Sequence, residues 1–310
     1  MEVRKPDGQT VRPAAEAIQR HSGLTVSGAP VFTDVSYVAV TVPSLQPGDV
    51  LTFRTRLSIR VPAARGHFWT AHDFANDARV LDERFEVDVP SKRPVTVTVR
   101  PGSPSPEATS SSGDRLVHVW RSSHGPSVGP AGQSAPTIPF TLAKPPAVIV
   151  TTFENWNDVA RWYDGLLKDR LTVTPALKQK AEELTRGLTT DADRVRALHD
   201  FVSQQVRYVS LSFGFGRYMP HAASEVLANL YGDCKDKHVL LSAMLSAVGI
   251  RSLPVLAASS VEIEPDAPSP GQFDHLFTLV PLGTTPQEWM WVDATLDTAP
   301  LGYIPPHIRG

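Results

Sequence analysis

Cysteine is nearly absent from this 310-residue chain, which contains one, Cys234. A single cysteine excludes an intrachain disulfide framework. This fits the cytoplasm, but it fits equally an extracytoplasmic protein that needs no disulfide. The compartment therefore stays open: periplasmic or otherwise extracytoplasmic if a signal peptide precedes this sequence, and cytoplasmic if none does.

The chain also lacks a marked net charge, because 30 basic residues oppose 32 acidic ones and give a formal charge of -2. We therefore expect neither nucleic acid nor an anionic membrane surface as a partner. No apolar run approaches the roughly 20 residues of a membrane-spanning helix, so we expect no membrane segment in this chain. The start, MEVRKPDGQTVRPAAEA, contains no stretch typical of a signal peptide. Nothing in the sequence indicates an oligomeric state.

Residues 31–120 have the alternating pattern of β-strands. In LTFRTRLSIR most odd positions from Leu51 to Ile59 are apolar, which predicts a strand with one buried face. RFEVDVP and PVTVTV repeat the pattern, and turn signals such as QPGD separate the runs. We predict a β-rich, sandwich-like domain over residues 1–145.

From Arg121 to Pro146 the composition changes to serine, glycine and proline. Such a segment cannot bury enough apolar surface to form an element of its own. We predict a long loop that ends in a linker, with the domain boundary at residues 145 and 146.

After this segment the apolar spacing becomes helical, in NWNDVARWYDGLLKDR, TPALKQKAEELTRG and TTDADRVRALHDFVSQQVRY. Thr174, Pro175 and Gly187 mark the start and end of the second of these helices. Thr190 and Asp193 are typical of a capping box at the start of the third.

Two more helices are predicted at about residues 222–230 and 234–248, followed by the short strands IRSLPVLA, FDHLFTLV and EWMWVDAT. Helices that precede strands in this way predict an α+β fold for residues 146–310.

Cys234 lies in the first turn of the predicted helix 234–248, directly after Gly232 and Asp233, which favour a helix start. Unpaired N–H groups and the positive end of the helix dipole converge there, and both favour a thiolate. Many lone cysteines are small buried apolar residues, so the position alone does not decide the role.

Two later strands carry residues that could complete a nucleophilic site. Alternation places His275 and Phe277 on one face of DHLFTLV, and Trp291 and Asp293 on one face of WMWVDAT. A cysteine nucleophile needs a base, and the base needs a group that orients it. Neighbouring antiparallel strands bring such side chains to within about 5 Å. Singly, each residue is better interpreted as a core histidine or a turn residue; the combination carries the inference.

Other residues could take these roles. His238 follows the cysteine by four positions on the same helix and could act as the base or form a Cys-x-x-x-His metal pair. Asp297 could replace Asp293, whereas Asp274 is predicted on the face opposite to His275. Because no second cysteine exists and the histidines are scattered, we expect neither a metal nor another cofactor.

YGDCKDKHVLLSAMLSAVGI, FDHLFTLV and WMWVDAT, in the order Cys, His, Asp, resemble the core of transglutaminase-like proteins. The GDCKDK motif, preceded by RYMPHAASEVL, resembles a bacterial branch in which this core follows a β-rich domain of the DUF3857 type. FENWNDVARWYDGLL matches that branch as well. The resemblance is strong from Phe153 to Thr295 and weaker before it. It implies a papain-like α+β catalytic core at 146–310 and a DUF3857-like domain at 1–145.

The resemblance implies that Cys234 is the nucleophile, His275 the general base and then acid, and Asp293 the residue that orients the histidine. Thiolate attack on a peptide or protein amide would give a thioester, which an amine or water would resolve. This describes a transglutaminase, an amidase or a protease. The N–H of Cys234 would form part of an oxyanion hole, and Tyr208 and Asp233 are further oxyanion or substrate-binding candidates.

The sequence departs from the family pattern directly after the nucleophile. Well-studied transglutaminases carry Trp there, whereas this chain has Lys235 and Asp236. Crosslinking of Gln to Lys therefore does not follow, and the polar pair is expected to cap the helix or line the cleft. Members of this branch are often longer at both ends, so we expect the sequence to be part of a longer protein.

Two alternatives stay open. A transglutaminase fold without catalysis could act as a binding or scaffold protein, and a sealed cleft over Cys234 would favour that function. SFGFGRYMP could form a lid or wall of a substrate groove, with Phe213, Phe215 and Tyr218 beside hinge glycines, or its aromatic residues could pack onto the core.

Overall fold

The computed structural model describes residues 1–22, 31–32, 36–42, 44–74, 79–124, 147–211, 217–259 and 262–305. Strands dominate as far as Thr151, and helices with short strands follow, so the fold is α+β as predicted. The strands of the β-rich part are β1 (Glu2–Arg4), β2 (Thr10–Val11), β3 (Ile18–Ser22), β4 (Val31–Phe32), β5 (Ser36–Val40), β6 (Val50–Thr52), β7 (Trp69–Asp73), β8 (Val80–Pro90), β9 (Thr96–Val99), β10 (Pro106–Ser112), β11 (Arg115–His124) and β12 (Ala147–Thr151).

The β-rich part is sandwich-like, as predicted. One antiparallel sheet has the order β10-β11-β8 and the other β7-β12-β9. Their facing side chains share one apolar core, because inward positions alternate along each strand. The buried members of this core are Phe74, Val87, Val89, Trp120, Val148 and Val150.

The prediction of a buried strand across LTFRTRLSIR is wrong. Strand β6 ends at Thr52, and residues 53–59 have no regular secondary structure. Leu57 is 90% exposed and Ile59 73% exposed. Alternation decides which side chains share a face, but only a neighbouring element buries that face. Among the described strands, none pairs with residues 53–59.

The predicted loop after Arg121 begins later than expected. Residues 121–124 continue strand β11, where Arg121 pairs with Arg84 and Ser122 with Glu83 of the long strand β8. A partner strand satisfies the backbone here although the side chains are polar. Residues 125–146, the remainder of the predicted loop and linker, lie outside the described residues.

The domain boundary at residues 145 and 146 remains a prediction. Strand β12 (Ala147–Thr151) lies between β7 and β9 and forms backbone ladders with both. Because β12 is the central strand of a sheet in the β-rich part, we propose that the division lies after Thr151.

The second part packs helices around one central helix, α5, against a three-stranded antiparallel sheet of order β16-β17-β18. Leu240, Leu241 and Met244 of α5 are fully buried, as expected for a helix that neighbours cover on all sides. The elements of this part are α1 (Trp156–Leu167), α2 (Pro175–Leu184), α3 (Asp191–Gln205), β13 (Arg207–Tyr208), β14 (Ser210–Leu211), α4 (Ala223–Asn229), β15 (Tyr231–Gly232), α5 (Cys234–Ala247), β16 (Leu253–Ala257), β17 (His275–Pro281) and β18 (Trp289–Val292).

Local capping explains why the helices begin where the sequence predicts. The side chain of Thr174 accepts a hydrogen bond from the N–H of Leu177, ahead of Pro175 in the first turn of α2. Thr190 and Asp193 bond reciprocally at the start of α3, at 3.1 and 2.6 Å. Such contacts lie within one helical turn, so the sequence alone specifies them.

Candidate active site

The start of helix α5 is built by a reciprocal cap. Asp233 is the N-cap, and its Oδ1 accepts a hydrogen bond of 3.2 Å from the N–H of Lys235. In the opposite direction, the N–H of Asp233 donates a hydrogen bond of 3.1 Å to Oδ2 of Asp236. A Cβ on Gly232 would lie 2.5 Å from the Cβ of Asp236, so glycine is required there. The cap fixes Cys234 as the first residue of α5, where its side chain is partly exposed.

The polar pair after the cysteine is buried and paired. The ammonium group of Lys235 forms an ion pair with the carboxylate of Asp233. Burial raises the pKa of Asp233; the charge of Lys235 opposes this and that of Asp236 adds to it. Asp236 caps α5, and Lys235 and Asp233 line the cleft described below. Both expectations for Lys235 and Asp236 are therefore met: Asp236 caps the helix, and Lys235 lines the cleft.

His275 contacts its predicted partner Asp293 and lies on the same cleft as Cys234. It is the first residue of β17, and its Nε2 lies 2.8 Å from Oδ2 of Asp293. The sulfur of Cys234 and the ring of His275 both line this cleft. Because Nε2 faces the carboxylate, Nδ1 is the ring nitrogen left for the sulfur.

Asp293 is held at a fixed orientation. Its Oδ1 accepts from the N–H and the hydroxyl of Thr295, at 2.9 and 2.6 Å, and its Oδ2 faces His275. Burial would raise the pKa of Asp293, but the hydrogen bond and charge of His275 and the donors of Thr295 outweigh it and lower the pKa. The carboxylate therefore stays ionised beside the imidazole.

The prediction that Asp293 lies on the same strand face as Trp291 is wrong, although the carboxylate of Asp293 does reach His275. Strand β18 ends at Val292, and Asp293 is buried whereas Trp291 is 40% exposed. Period-two alternation ends with the strand, and the turn after Val292 brings the carboxylate inward.

The imidazole of His275 is strongly basic. Burial alone would lower its pKa, but the hydrogen bonds to Asp293 and Cys234, together with their negative charges, raise the pKa of His275 to about 10. A histidine in this environment is protonated at neutral pH. The arrangement therefore favours an imidazolium at the wall of the cleft.

Tyr208 lies beside the cysteine from another element. Strand β13 pairs in parallel with β15, which places Tyr208 opposite Gly232. Tyr208 and Cys234 line the same cleft. Burial, followed by the charges of Cys234, Asp233 and Asp293, raises the pKa of Tyr208, so its hydroxyl keeps its proton.

The sulfur and the imidazole open into a cleft of about 400 Å³. Tyr218 lines it, as expected if SFGFGRYMP forms a wall, whereas Phe213 and Phe215 lie outside the described residues. Asp274 lines it too, despite the predicted opposite face, and its carboxylate accepts from the N–H of Ser259 at 2.6 Å. Further lining residues include Trp162, Tyr163, Tyr208, Arg217, Leu256 and Phe273.

Two family models match the chain. Residues 178–295 match the transglutaminase-like superfamily, and residues 1–128 match DUF3857, a domain of unknown function with a solved structure. Residues 178–295 are therefore similar to transglutaminase-like proteins. Both matches were expected from the sequence motifs. No protein with a curated description matches the sequence.

Solved structures of other proteins are similar to this chain. A proposed protease from Parabacteroides distasonis superposes with a TM-score of 0.66 at 16% identity, covering 97% of this chain and 61% of its own. The chain thus spans about three fifths of that protein. At this identity the likeness shows the fold alone.

Two further similar structures superpose less well. One is a proposed cysteine protease from Cytophaga hutchinsonii, with a TM-score of 0.33, 14% identity, and coverage of 74% of this chain and 79% of that one. The other is the periplasmic domain of TgpA from Pseudomonas aeruginosa, with a TM-score of 0.30, 17% identity, and coverage of 70% and 71%.

Within the region that matches the transglutaminase-like superfamily, the alternative base His238 is a buried structural residue. Its Nδ1 lies 2.8 Å from the hydroxyl of Thr278, and the hydroxyl of Ser242 also contacts the ring. Burial lowers the pKa of His238 to about 3, so the ring is neutral. The alternative carboxylate Asp297 is exposed, and the ring of His275 faces Asp293 instead.

The sequence reasoning missed Lys237, whose ammonium group is buried beside the site. Its Nζ donates to the carbonyls of Ser203 on α3 and Ala294 directly after Asp293, at 3.2 and 3.0 Å. Burial lowers its pKa to about 8, against the charges of Asp297 and Asp293. The available signal was a lysine near the start of a helix whose remainder, residues 239–247, is mostly apolar. Lys237 thus fixes the backbone that carries the carboxylate.

Among the described residues, no group of three or more His, Cys, Asp or Glu side chains is arranged to hold a metal ion. Across the same residues, none of the helices combines the length and apolar character needed to span a bilayer.

Proposed function

We propose that this protein is a cysteine enzyme that forms a thioester between Cys234 and the acyl group of a peptide or protein amide. The observation that carries the proposal is the hydrogen bond of 2.8 Å between Nε2 of His275 and Oδ2 of Asp293, at the wall of an open cleft that Cys234 also lines. Nucleophile, base and orienting group are the components that cysteine acyl transfer requires.

In the first step, the thiolate of Cys234 bonds to the amide carbonyl carbon and the C–N bond breaks. His275, protonated at the start, gives its proton to the departing nitrogen, so ammonia or an amine leaves. In the second step, His275 takes a proton from an incoming amine or water, which bonds to the thioester carbonyl carbon. The C–S bond breaks, the acyl product leaves, and the thiolate of Cys234 is restored beside the protonated His275. Asp293 holds the ring orientation and stabilises the imidazolium in both steps.

Negative charge develops on the carbonyl oxygen during attack, and two groups beside the sulfur can donate hydrogen bonds to that oxygen. One is the N–H of Cys234 at the start of α5, and the other is the hydroxyl of Tyr208, which lines the same cleft. We propose that the substrate oxygen accepts from both groups. One such donor stabilises the transition state by about 3–4 kcal/mol.

A catalytically silent binding protein is supported less well. That function would need no access to the sulfur, whereas Cys234 is partly exposed and lines the cleft with His275. A binding function would also not need a buried carboxylate at the imidazole. Burying the carboxylate of Asp293 costs stability, because its charge loses contact with water. The choice among transglutaminase, amidase and protease depends on whether an amine or water reaches the thioester first, and on which amide is cleaved.

The proposal is tested by mass spectrometry of the intact protein after incubation with a peptide library and a deuterated primary amine. We expect acyl adducts on Cys234, with amine-labelled products for a transferase and hydrolysed products for an amidase or protease. The Cys234→Ala variant should form no adduct, and Tyr208→Phe should form it about 10- to 100-fold more slowly.

Alkylation of the thiol tests the activated sulfur without a substrate. We expect iodoacetamide to label Cys234 at pH 6 faster than it labels a small-molecule thiol, and His275→Ala to remove the difference. If the wild-type rate equals that of the model thiol and His275→Ala leaves it unchanged, the proposed function is wrong.

A further inference from the structure

The geometry points to an anion-binding subsite at Arg217: the acyl donor carries a carboxylate close to the amide that Cys234 attacks. This inference rests on the proposed function and names the class of its substrate. It starts from the position of Arg217, which lines the same cleft as Cys234 and His275 and has an exposed side chain.

The guanidinium of Arg217 is held in place by an aromatic ring. Its central carbon lies 5.4 Å from the centroid of the Tyr218 ring, within the range of a cation–π contact. Stacking of this kind leaves the N–H donors at the edge of the guanidinium plane available, and those donors match the two oxygens of a carboxylate.

Tyr218 is itself fixed from two sides, which makes it a rigid support. Its ring lies 5.3 Å from Trp162 of α1 and 5.9 Å from Trp69 of β7, edge to face in both contacts. A cation on a fixed support loses little side-chain entropy when a ligand binds.

The charge of Arg217 is available to a ligand. Within the described parts of the chain, no carboxylate forms an ion pair with it. Of the other cationic side chains that line the cleft, Lys235 is buried and paired with Asp233, and His275 is paired with Asp293. Asp274, also at the cleft, accepts a hydrogen bond from the N–H of Ser259. A bound carboxylate would therefore meet an unneutralised guanidinium.

This arrangement selects amides that lie close to an acidic side chain or a free chain-terminal carboxylate. Neutral and cationic donors would leave the guanidinium without a partner. The preference should weaken at high salt, because the guanidinium is exposed and its charge is screened by ions.

Two small alkylating reagents test the subsite directly on the intact protein. Iodoacetate and iodoacetamide are similar in size and both transfer a carbon to sulfur with loss of iodide, but only iodoacetate is anionic. We expect the ratio of their rates at Cys234 to fall about 3- to 10-fold in Arg217→Gln, and to fall less in Arg217→Lys. Because both reagents attack the same thiol, the ratio of their rates cancels any general change in the reactivity of Cys234. His275 contributes equally to this ratio in each protein.

Arg196→Gln is the matched control, because Arg196 is an exposed arginine of α3 that does not line the cleft. This control should keep the wild-type ratio. An unchanged ratio in Arg217→Gln, or an equal fall in Arg196→Gln, overturns the inference while the proposed function stands. A wild-type thiol that iodoacetamide labels no faster than a model thiol overturns the proposed function, and the inference with it.

A pair of peptide donors extends the test to turnover. Two peptides that differ only by Glu or Gln beside the reactive amide should show a lower KM for the Glu peptide. Arg217→Gln should raise that KM about 3- to 10-fold and remove the difference between the peptides. A KM advantage for the Glu peptide that survives in Arg217→Gln contradicts the assignment.

Discussion

The contact between His275 and Asp293 sets the protonation of the proposed base. Both carboxylate oxygens of Asp293 are occupied, one by the imidazole and one by Thr295. The imidazole therefore meets a fixed negative charge, which offsets the cost of burying its own positive charge. The protonation of His275 depends on the distance of 2.8 Å between its Nε2 and Oδ2 of Asp293, and not only on the presence of the two side chains.

We predict that Asp293→Asn slows alkylation of Cys234 at pH 7 about 10-fold and turnover about 10²- to 10⁴-fold. Asparagine can accept a hydrogen bond, but it supplies no charge, so the pKa of His275 should fall from about 10 toward that of an ordinary histidine. The rate of alkylation by iodoacetamide between pH 5 and 10 measures the shift. Thr295→Val, which removes only one hydroxyl donor to Asp293, should have a much smaller effect. Identical pH profiles for wild type and Asp293→Asn would contradict the prediction.

The same pKa predicts a dependence of stability on pH. The pKa of His275 is raised in the folded state, to about 10, so its contribution to stability is complete below about pH 6.5 and is lost as the pH rises through 10. We expect the free energy of unfolding to fall more between pH 6.5 and 9.5 for wild type than for His275→Gln. Urea denaturation at the two pH values measures this difference.

Lys237 should act in the opposite direction in the same pH range. Its pKa is lowered to about 8, so the unfolded state binds more protons than the folded state between that value and the pKa of an exposed lysine. Because Lys237 is present in both proteins, the comparison of wild type with His275→Gln isolates the histidine. Equal slopes in the two proteins would be inconsistent with a raised pKa at His275.

At the scale of the element, the start of α5 depends on Asp236. Besides capping Asp233, its carboxylate accepts from the N–H of His221 at 2.8 Å and contacts the His221 ring. The side chain is fully buried, so these donors would find no replacement in water. One carboxylate therefore joins the segment before α4 to the turn that carries the cysteine.

We predict that Asp236→Ala lowers the free energy of unfolding by about 2–4 kcal/mol, because it removes a cap and leaves buried donors unpaired. Asp236→Asn keeps an acceptor and should lose less. Asp193→Ala, which removes part of the exposed capping box of α3, is the matched control and should cost about 1 kcal/mol or less. Urea denaturation followed by circular dichroism measures all three variants. If Asp236→Ala lowers the free energy of unfolding no more than Asp193→Ala does, the buried contacts of Asp236 contribute nothing to stability.

At the scale of the whole molecule, the β-rich part contacts the segment that leads to His275. Thr151 donates its hydroxyl to the carbonyl of Pro268 at 2.8 Å, and Thr98 donates to that of Asp266 at 3.0 Å. Arg100 forms an ion pair of 2.8 Å with Glu264. The β-rich part therefore holds in place the segment that leads into β17, the strand that carries the proposed base His275.

Trp69 is the aromatic centre of this contact. Besides Tyr218 and Trp162, its ring packs against Gly271, where an added Cβ would lie 2.7 Å from the indole. We predict that Trp69→Ala lowers the free energy of unfolding by about 2–3 kcal/mol, because the side chain is only partly buried. It should also lower the iodoacetate-to-iodoacetamide ratio, since Tyr218 loses a support.

Trp69→Phe should keep much of the packing, and Trp289→Ala is the control for loss of an exposed tryptophan. Circular dichroism during urea denaturation measures stability without relying on the tryptophans themselves. If Trp69→Ala is no less stable than Trp289→Ala and keeps the wild-type ratio of rates, the two parts of the chain are not coupled at the cleft.

The sequence by itself determined the features that depend on neighbours within one helical turn. The cap of Asp233 and Asp236 places Cys234 at the first residue of α5, and the caps of α2 and α3 lie where their residues indicate. These features follow from hydrogen bonds between residues two to four positions apart, whose partners are fixed by the chain itself.

The tertiary structure alone decided the contacts between distant segments. It brought Asp293 rather than Asp297 to the imidazole, buried His238 against Thr278, and left the alternating residues 53–59 uncovered. It also joined Trp69 to Tyr218 across about 150 residues of chain. Such contacts depend on which elements meet and in what register, and neither is encoded in the periodicity of any one segment.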